Sequence, residues 1–207
     1  MSNYDFLNEK KLRMPESLRR VDELLATDAL SPLQRQMLLN YQRHSRAENS
    51  GNWEQIFDPG MMVDDPLYIL RFKNQRVEVR GTVALKEYYR KIAESSPVIY
   101  QHDQEIHLSA TSFTTFSTSI NFVTGQQILA MGEKCDDPEG FYARAKTALT
   151  FWPFDERGQL RGEFGGELGA ATNIQIPERL FITPAEARET LTPLIRPLPA
   201  FEPGVEA

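Results

Sequence analysis

The chain of 207 residues is poor in cysteine and histidine, and it has no long apolar run. Its single cysteine, Cys135, excludes an intrachain disulfide and any metal site made of several thiolates. No segment approaches the roughly 18 consecutive apolar residues of a membrane-spanning helix. The first residues carry charges but lack the apolar core of a secretory signal. These absences predict a cytoplasmic protein without a membrane partner.

Positive charge is also scarce, because 23 Lys and Arg stand against 29 Asp and Glu, for a net charge of -6. A chain without a basic excess lacks the surface that binds nucleic acid by releasing counterions. Neither a G-x-x-x-x-G-K pattern nor a G-x-G-x-x-G pattern after a strand is present, so no phosphate loop is expected. Asp103 and His107 have helical spacing but lie in a strand pattern, which does not favour a metal site. We therefore expect no metal and no organic cofactor.

Apolar periodicity predicts helices in the first part of the chain and strands in the rest. Ser31-Pro32 caps a helix that Ser50-Gly51-Asn52 ends. A further helix starts at Thr82, and residues 126–132 form either a strand or the far end of a hairpin. The predicted strands are 75–80, 98–108, 112–122, 141–152 and 159–168. This order predicts an α+β fold with helices on one face of an antiparallel sheet.

The chain divides into three parts by composition. Residues 1–30 form an N-terminal arm and helix, 31–170 the α+β domain, and 171–207 a C-terminal extension. The extension contains one short helix near 184–190 and then a proline-rich tail, which we expect to be extended and poorly self-supporting.

The strand 141–152 alternates in an unusual way. One face carries only apolar residues and a threonine, whereas the other carries Arg144, Lys146, Thr150 and Trp152. If the second face lines a pocket, the side chains of Lys146 and Arg144 point into that pocket. The alternative is that this face lies at a subunit interface, where Arg, Tyr and Trp are common.

Several segments in order resemble the nuclear-transport-factor-2-like superfamily, with its SnoaL-like cyclases, ketosteroid isomerase and scytalone dehydratase. They are Asn52-Trp53-Glu54, Val63-Asp64-Asp65-Pro66-Leu67-Tyr68, and Gly81 followed by Ala84-Leu85-Lys86-Glu87-Tyr88-Tyr89. The resemblance covers residues 31–170. It implies a cone, in which a curved antiparallel sheet surrounds a deep apolar pocket, and a homodimer or homotrimer formed through the outer sheet face.

The resemblance also implies roles for particular residues. Asp65 matches the proton base of ketosteroid isomerase, although Asp64 competes with it and a residue before proline is commonly a turn residue. His102 lies near the pocket histidine of scytalone dehydratase, and alternation puts it on one face with Gln104 and Ile106. Tyr41 or His44 matches the donor that stabilises an oxyanion.

The remaining candidates are expected to bind substrate. Thr150 stands where ketosteroid isomerase has its second oxyanion group, a departure that argues against steroid isomerisation. Glu163 could complement Lys146 across the sheet, while Gly166 and Glu167 compete for the acidic position of SnoaL-like cyclases. We expect the aromatic walls of the pocket to be formed by Trp53, Tyr68, Tyr89 and Trp152.

This inventory favours a cofactor-free lyase that acts by acid–base proton transfer on a small aromatic hydroxy compound. The reaction that we expect is dehydration or retro-aldol cleavage, such as the loss of formaldehyde from a lignin-derived diarylpropane. The alternatives are an isomerase or cyclase of a steroid- or polyketide-like substrate, and the non-catalytic small subunit of a ring-hydroxylating dioxygenase.

Overall fold

The computed structural model describes residues 4–72, 75–94 and 98–201. These residues form a mixed α+β structure, as predicted. The helices are α1 (Phe6–Glu9), α2 (Arg19–Leu25), α3 (Pro32–Asn49), α4 (Thr82–Glu94), α5 (Gly125–Ala130) and α6 (Pro184–Leu191). The strands are β1 (Met62–Phe72), β2 (Gln75–Arg80), β3 (Ile99–Leu108), β4 (Ser112–Thr124), β5 (Phe141–Pro153) and β6 (Leu160–Ile176).

The strands form one curved, unclosed sheet in the order β2-β1-β6-β5-β4-β3. Neighbouring strands are antiparallel except β1 and β6, which pair in parallel from Leu67 beside Gly162 to Arg71 beside Gly166. This parallel contact alone joins β1 and β2 to the rest of the sheet. It therefore sets which residues of β1 and β6 lie side by side in the sheet.

Two hydrophobic cores cover the two faces of the sheet. The inner core lies between the concave face, α3 and α4, and includes Met37, Leu38 and Leu85. The outer core packs the N-terminal arm and α6 against the opposite face of β3, β4 and β5. Alternating residues of the long strands supply both cores, because successive side chains point to opposite faces.

The C-terminal part of the chain is better anchored than its composition predicts. Strand β6 continues to Ile176, so the predicted domain boundary at residue 170 falls inside a strand. The segment after α6 packs on α3, where Arg43 donates to the carbonyl of Arg196 at 2.6 Å and Arg46 to that of Leu194 at 3.0 Å. The tail has no helix or strand from Ile195 to Phe201, as expected of an extended segment, and hydrogen bonds from α3 hold its start in place.

Residues 125–130 are helical, so the predicted strand or hairpin end at 126–132 is wrong. Thr124 accepts a hydrogen bond from the backbone N–H of Gln127, whose side chain accepts one from the backbone N–H of Thr124. This capping box satisfies two backbone donors at the helix start. Local capping therefore outweighs the strand-like composition of the segment.

Strand β3 contains a bulge that reverses its side-chain alternation. Its pairing with β4 shifts between His102 and Glu105, and Asp103 has a φ of 48°. Gln101 and Gln104 both point inward as a result, and His102 points to the outer face. An extra residue in one strand has this effect because the side-chain period is two.

Gly162 marks the closest approach of β6 to β1. Its φ is 153°, and a Cβ at this position would lie 1.8 Å from the carbonyl oxygen of Leu67. We expect Gly162→Ala to lower the free energy of unfolding by about 3 kcal/mol, because backbone must move to relieve the overlap. Urea denaturation measures this change.

Gly60→Ala is the matched control, since Gly60 has a φ of 84° with nothing within 4 Å of its would-be Cβ. Its cost should be about 1 kcal/mol, from backbone strain alone. Equal costs at the two positions would contradict a close approach of β6 to β1 at Gly162.

Candidate active site

A cavity of about 430 Å³ lies between the concave face of the sheet and helices α3 and α4. This volume is in the range of small-molecule binding sites. Its walls differ in chemistry. Residues of β1 and α4 are aromatic or aliphatic, namely Tyr68, Leu70, Phe72, Tyr88, Tyr89 and Ile92, whereas β4 lines the cavity with Thr115, Ser117, Ser119 and Asn121.

Helix α3 contributes one face to the cavity. Each of His44, Ser45 and Glu48 follows another member of the set, which begins with Tyr41, by three or four residues, so they share a face, and all four line the cavity. Glu48 was not among the sequence-predicted residues. Its position one turn after His44 is the signal that could have identified it.

A hydrogen-bonded chain joins three aromatic side chains at the cavity wall. His44 Nε2 is 2.9 Å from the Tyr89 hydroxyl, which donates to the Tyr68 hydroxyl at 3.4 Å. His44 Nδ1 has no hydrogen-bond partner in the described part of the chain, which favours the Nε2-protonated tautomer. In that tautomer, His44 donates to Tyr89 and thereby orients the hydroxyl.

Burial sets the protonation state of this chain. It lowers the pKa of His44 to about 3 and raises the pKa of Tyr68 and of Tyr89. His44 is therefore a neutral imidazole near pH 7, and the tyrosines remain hydroxyl donors. Burial therefore disfavours His44 as a cationic proton donor near neutral pH.

Tyr41 is the second buried hydroxyl. It accepts a hydrogen bond from Gln104 Nε2 at 2.8 Å, and burial raises its pKa. The Tyr41 ring packs edge-on against Trp152, with ring centroids 4.8 Å apart. The Trp152 indole N–H donates to the Thr115 hydroxyl at 3.1 Å. The bulge in β3 makes this arrangement possible, because it turns Gln104 inward.

Two of the carboxyl groups that line the cavity have raised pKa values, one from the sheet and one from α3. Burial, together with the charge of Glu48, raises the pKa of Glu163 to about 8. Burial raises the pKa of Glu48 to about 7, and its Oε2 lies 3.8 Å from His44 Nε2. Both groups can thus exchange protons near neutral pH, which makes them candidates for acid–base catalysis.

Lys146 lines the cavity, as its strand face predicted, and so do Thr150 and Trp152. The ion-pair partner of Lys146 is Glu167, with Nζ and Oε1 2.5 Å apart, and not Glu163 as suggested from the sequence. Glu163 and Glu167 both line the cavity, which confirms that they share a face.

The predicted proton base Asp65 lies outside the cavity. Its side chain is 64% exposed and forms an ion pair with Arg80 at 2.9 Å. Asp64 is exposed as well, and its carbonyl accepts a hydrogen bond from the Thr82 hydroxyl at the start of α4. The expectation that either carboxylate faces the pocket is wrong, because both stabilise the junction between β1, β2 and α4.

His102 also lies away from the cavity, on the outer face of the sheet. Its ring stacks on Phe6 with a centroid distance of 4.0 Å, and its Nε2 is 3.1 Å from Asp103 Oδ2. The bulge at Asp103 is the physical reason. Gln101 takes the inward position and accepts a hydrogen bond from Ser117 at 2.7 Å.

Two further predicted substrate contacts are displaced from the main cavity. Trp53 lines a side cavity of about 130 Å³, together with Glu48 and Tyr89. Arg144 is buried and pairs with Glu133 at 2.9 Å, outside the residues that line the main cavity. Both residues were predicted to contact substrate in the main cavity, and neither of them lines it.

Neither a metal cluster nor a membrane-spanning helix is found in the part of the chain that the structure describes. Within residues 4–72, 75–94 and 98–201, no group of three or more His, Cys, Asp or Glu side chains is arranged to hold a metal ion. Over the same residues, no helix has the length and apolar character needed to cross a bilayer.

No family model and no curated protein matches the sequence. Among solved structures, a candidate SnoaL-like polyketide cyclase from Shewanella putrefaciens has a TM-score of 0.54 at 10% identity, over 76% of this chain and 90% of that one. A candidate polyketide cyclase from Xanthomonas campestris has a TM-score of 0.46 at 15% identity, over 66% and 92%. The first likeness confirms the fold that the sequence resemblance predicted.

Glu163→Gln is expected to raise the melting temperature at pH 9 and to change it little at pH 5. The pKa of Glu163 in the folded protein, about 8, exceeds its ordinary value of 4.5, so the folded state favours the protonated carboxyl. The stability from this preference is present below pH 4.5 and is lost as the pH rises through 8. Glutamine does not ionise, so the variant avoids this loss.

Calorimetry at both pH values measures the effect. Glu54→Gln, at an exposed position, is the control and should follow the wild type. A Glu163→Gln variant with the same shift at pH 5 and pH 9 would show that this carboxyl has an ordinary pKa.

Proposed function

We propose that this chain, which has the SnoaL-like cone of the nuclear-transport-factor-2-like superfamily, is a cofactor-free lyase for a small aromatic hydroxy compound. The supporting observation is that Glu48 and Glu163 face an aromatic cavity, with pKa values raised to about 7 and about 8. General acid–base catalysis near neutral pH requires groups of this kind.

The reaction that we assign is loss of water and formaldehyde from a diarylpropane-1,3-diol, which gives a stilbene. A ring phenol loses its proton to solvent, and the phenolate expels the benzylic hydroxyl, which takes a proton from the Glu163 carboxyl and leaves as water. The resulting quinone methide accepts the electrons of the carbon–carbon bond to the hydroxymethyl group. The Glu163 carboxylate removes the proton of that hydroxyl group as formaldehyde departs, so the carboxyl is restored, and the phenolate of the product regains a proton from solvent.

The other cavity residues support these steps. Tyr89, oriented by His44, and Tyr41, oriented by Gln104, offer hydroxyl donors to the substrate oxygens. The charge of Glu48 helps to keep Glu163 protonated at the start of the cycle. Glu167 balances the charge of Lys146, so we assign Lys146 no part in stabilising the phenolate of the reacting ring.

Isomerisation or cyclisation of a steroid- or polyketide-like substrate is the second candidate. The chain of hydroxyls from Tyr68 through Tyr89 to His44 favours it, because such a chain can stabilise an enolate oxygen while Glu163 moves a proton. Formaldehyde release distinguishes the two reactions. A non-catalytic dioxygenase subunit would give no product by itself.

We further propose that the chain forms a homodimer or homotrimer through the outer face of its sheet. Phe116, Leu149, Phe151 and Leu168 are between 39% and 49% exposed there. Phe116 lies directly opposite Leu149, and Phe151 opposite Phe164. A contiguous exposed apolar patch of this kind is typical of a protein interface.

Glu163→Gln should lower kcat about 10²–10⁴-fold, because it removes the group that gives and regains the proton. The assay follows stilbene absorbance and formaldehyde with a phenolic diarylpropanediol. Asp65→Asn is the matched control, since Asp65 lies outside the cavity, and it should keep near-native activity. Full activity of Glu163→Gln, or loss of activity in Asp65→Asn, would contradict the assignment.

Leu149→Glu should convert the oligomer to monomer, because a charge at the centre of the outer patch would be buried unpaired in the interface. Light scattering coupled to size-exclusion chromatography gives the mass. Val83→Glu, at an apolar position on α4 that is 86% exposed, should leave the mass unchanged. A Leu149→Glu variant that remains oligomeric would show that the interface does not lie at this patch.

A further inference from the structure

The proposed reaction assigns no function to the ion pair between Lys146 and Glu167 in the cavity wall. Lys146 and Glu167 lie on the inner faces of β5 and β6, with side chains only 14% and 9% exposed. Both line the cavity, and Ser119 lies opposite Lys146 in the sheet. A desolvated pair of this kind is costly to maintain for stability alone, which directs attention to a function in ligand binding.

The pair is well separated from the carboxyl group that we assign to catalysis. Glu163 and Glu167 are four residues apart on one strand, so their Cα atoms are about 13 Å apart. A ligand that contacts both groups is longer than a single benzene ring. Two linked rings, with the reacting carbons near Glu163, span this distance.

The charge of the cavity argues against an anionic ligand. Among the described residues that line it, Lys146 is the sole Lys or Arg, and Glu167 already balances its charge. Glu48 and Glu163 can only add negative charge. A carboxylate at the far end would therefore meet the Glu167 carboxylate without an unpaired cation to offset the repulsion.

An uncharged hydroxyl group suits the same pair. A phenol O–H can donate to a Glu167 oxygen while its own oxygen accepts a hydrogen bond from the Lys146 ammonium, and both bonds are charge-assisted. We infer that Lys146 and Glu167 select a two-ring substrate with an uncharged phenolic hydroxyl on the far ring and reject a carboxylate there. This inference rests on the proposed function, whose product is a two-ring stilbene.

Binding without turnover tests the inference, by calorimetric titration at pH 7 with trans-4-hydroxystilbene, trans-stilbene-4-carboxylate and trans-stilbene. The wild type should bind the hydroxyl compound at least about tenfold more tightly than either of the others. Glu167→Gln leaves Lys146 unpaired, so the carboxylate should bind about tenfold more tightly than to the wild type, and the hydroxyl compound more weakly.

Glu163→Gln is the matched control, because it removes one carboxyl from the same face of the same strand without touching the pair. The preference for hydroxyl over carboxylate should survive in it. A wild type without this preference, or an equal change in both variants, would overturn the inference, since a substitution elsewhere on this strand face would then have the same effect as loss of the pair.

A double variant covers the case in which Glu167→Gln does not fold, which thermal melting will reveal. Lys146→Met combined with Glu167→Met leaves no unpaired charge, and it should bind hydroxystilbene no more tightly than stilbene. A remaining advantage for the hydroxyl compound would overturn the inference. An enzyme with the predicted selectivity but no lyase activity would contradict the proposed function alone.

Discussion

The parallel contact between β1 and β6 is the constraint on which the rest of the cavity depends. The backbones approach so closely at Leu67 and Gly162 that no side chain fits between them. The next pair in register, Tyr68 and Glu163, brings the hydroxyl network beside the carboxyl group with the most strongly raised pKa. Without this contact, β1 would lose its only link to the sheet wall that carries Glu163 and Glu167.

Helix α3 connects the C-terminal segment of the described chain to the cavity. Its cavity face carries Tyr41, His44 and Glu48, while Arg43 and Arg46 on another face bind backbone carbonyls of the C-terminal segment. The helix is therefore held from two sides. A helix fixed in this way keeps the catalytic candidates in place at little cost in conformational entropy when a ligand binds.

The faces of the strands could be predicted from the sequence where local geometry is regular, but not where it is irregular. The pairing of β5 with β4 is unshifted, so alternation correctly grouped Lys146 and Trp152 on one face of the strand, and the structure shows that this face lines the cavity. Positional matching to a distant family failed for Asp65, because an arginine on the neighbouring strand holds it at the surface. Glu48 could have been predicted from helix periodicity. The raised pKa of Glu163 could not, because it depends on burial among residues distant in sequence.

The bulge at Asp103 has a consequence for how this cavity could change over evolutionary time. Regular alternation would place His102 inward in line with Gln104, and one extra residue in the strand prevents it. Deletion of Asp103 would not bring His102 inward, because Gln101 and Gln104 would then stand two positions apart and regular alternation would keep both amides at the cavity wall. The deletion would instead remove the bend and twist that a bulge gives to a strand. A lineage can therefore reshape this wall of the cavity without exchanging the side chains that line it.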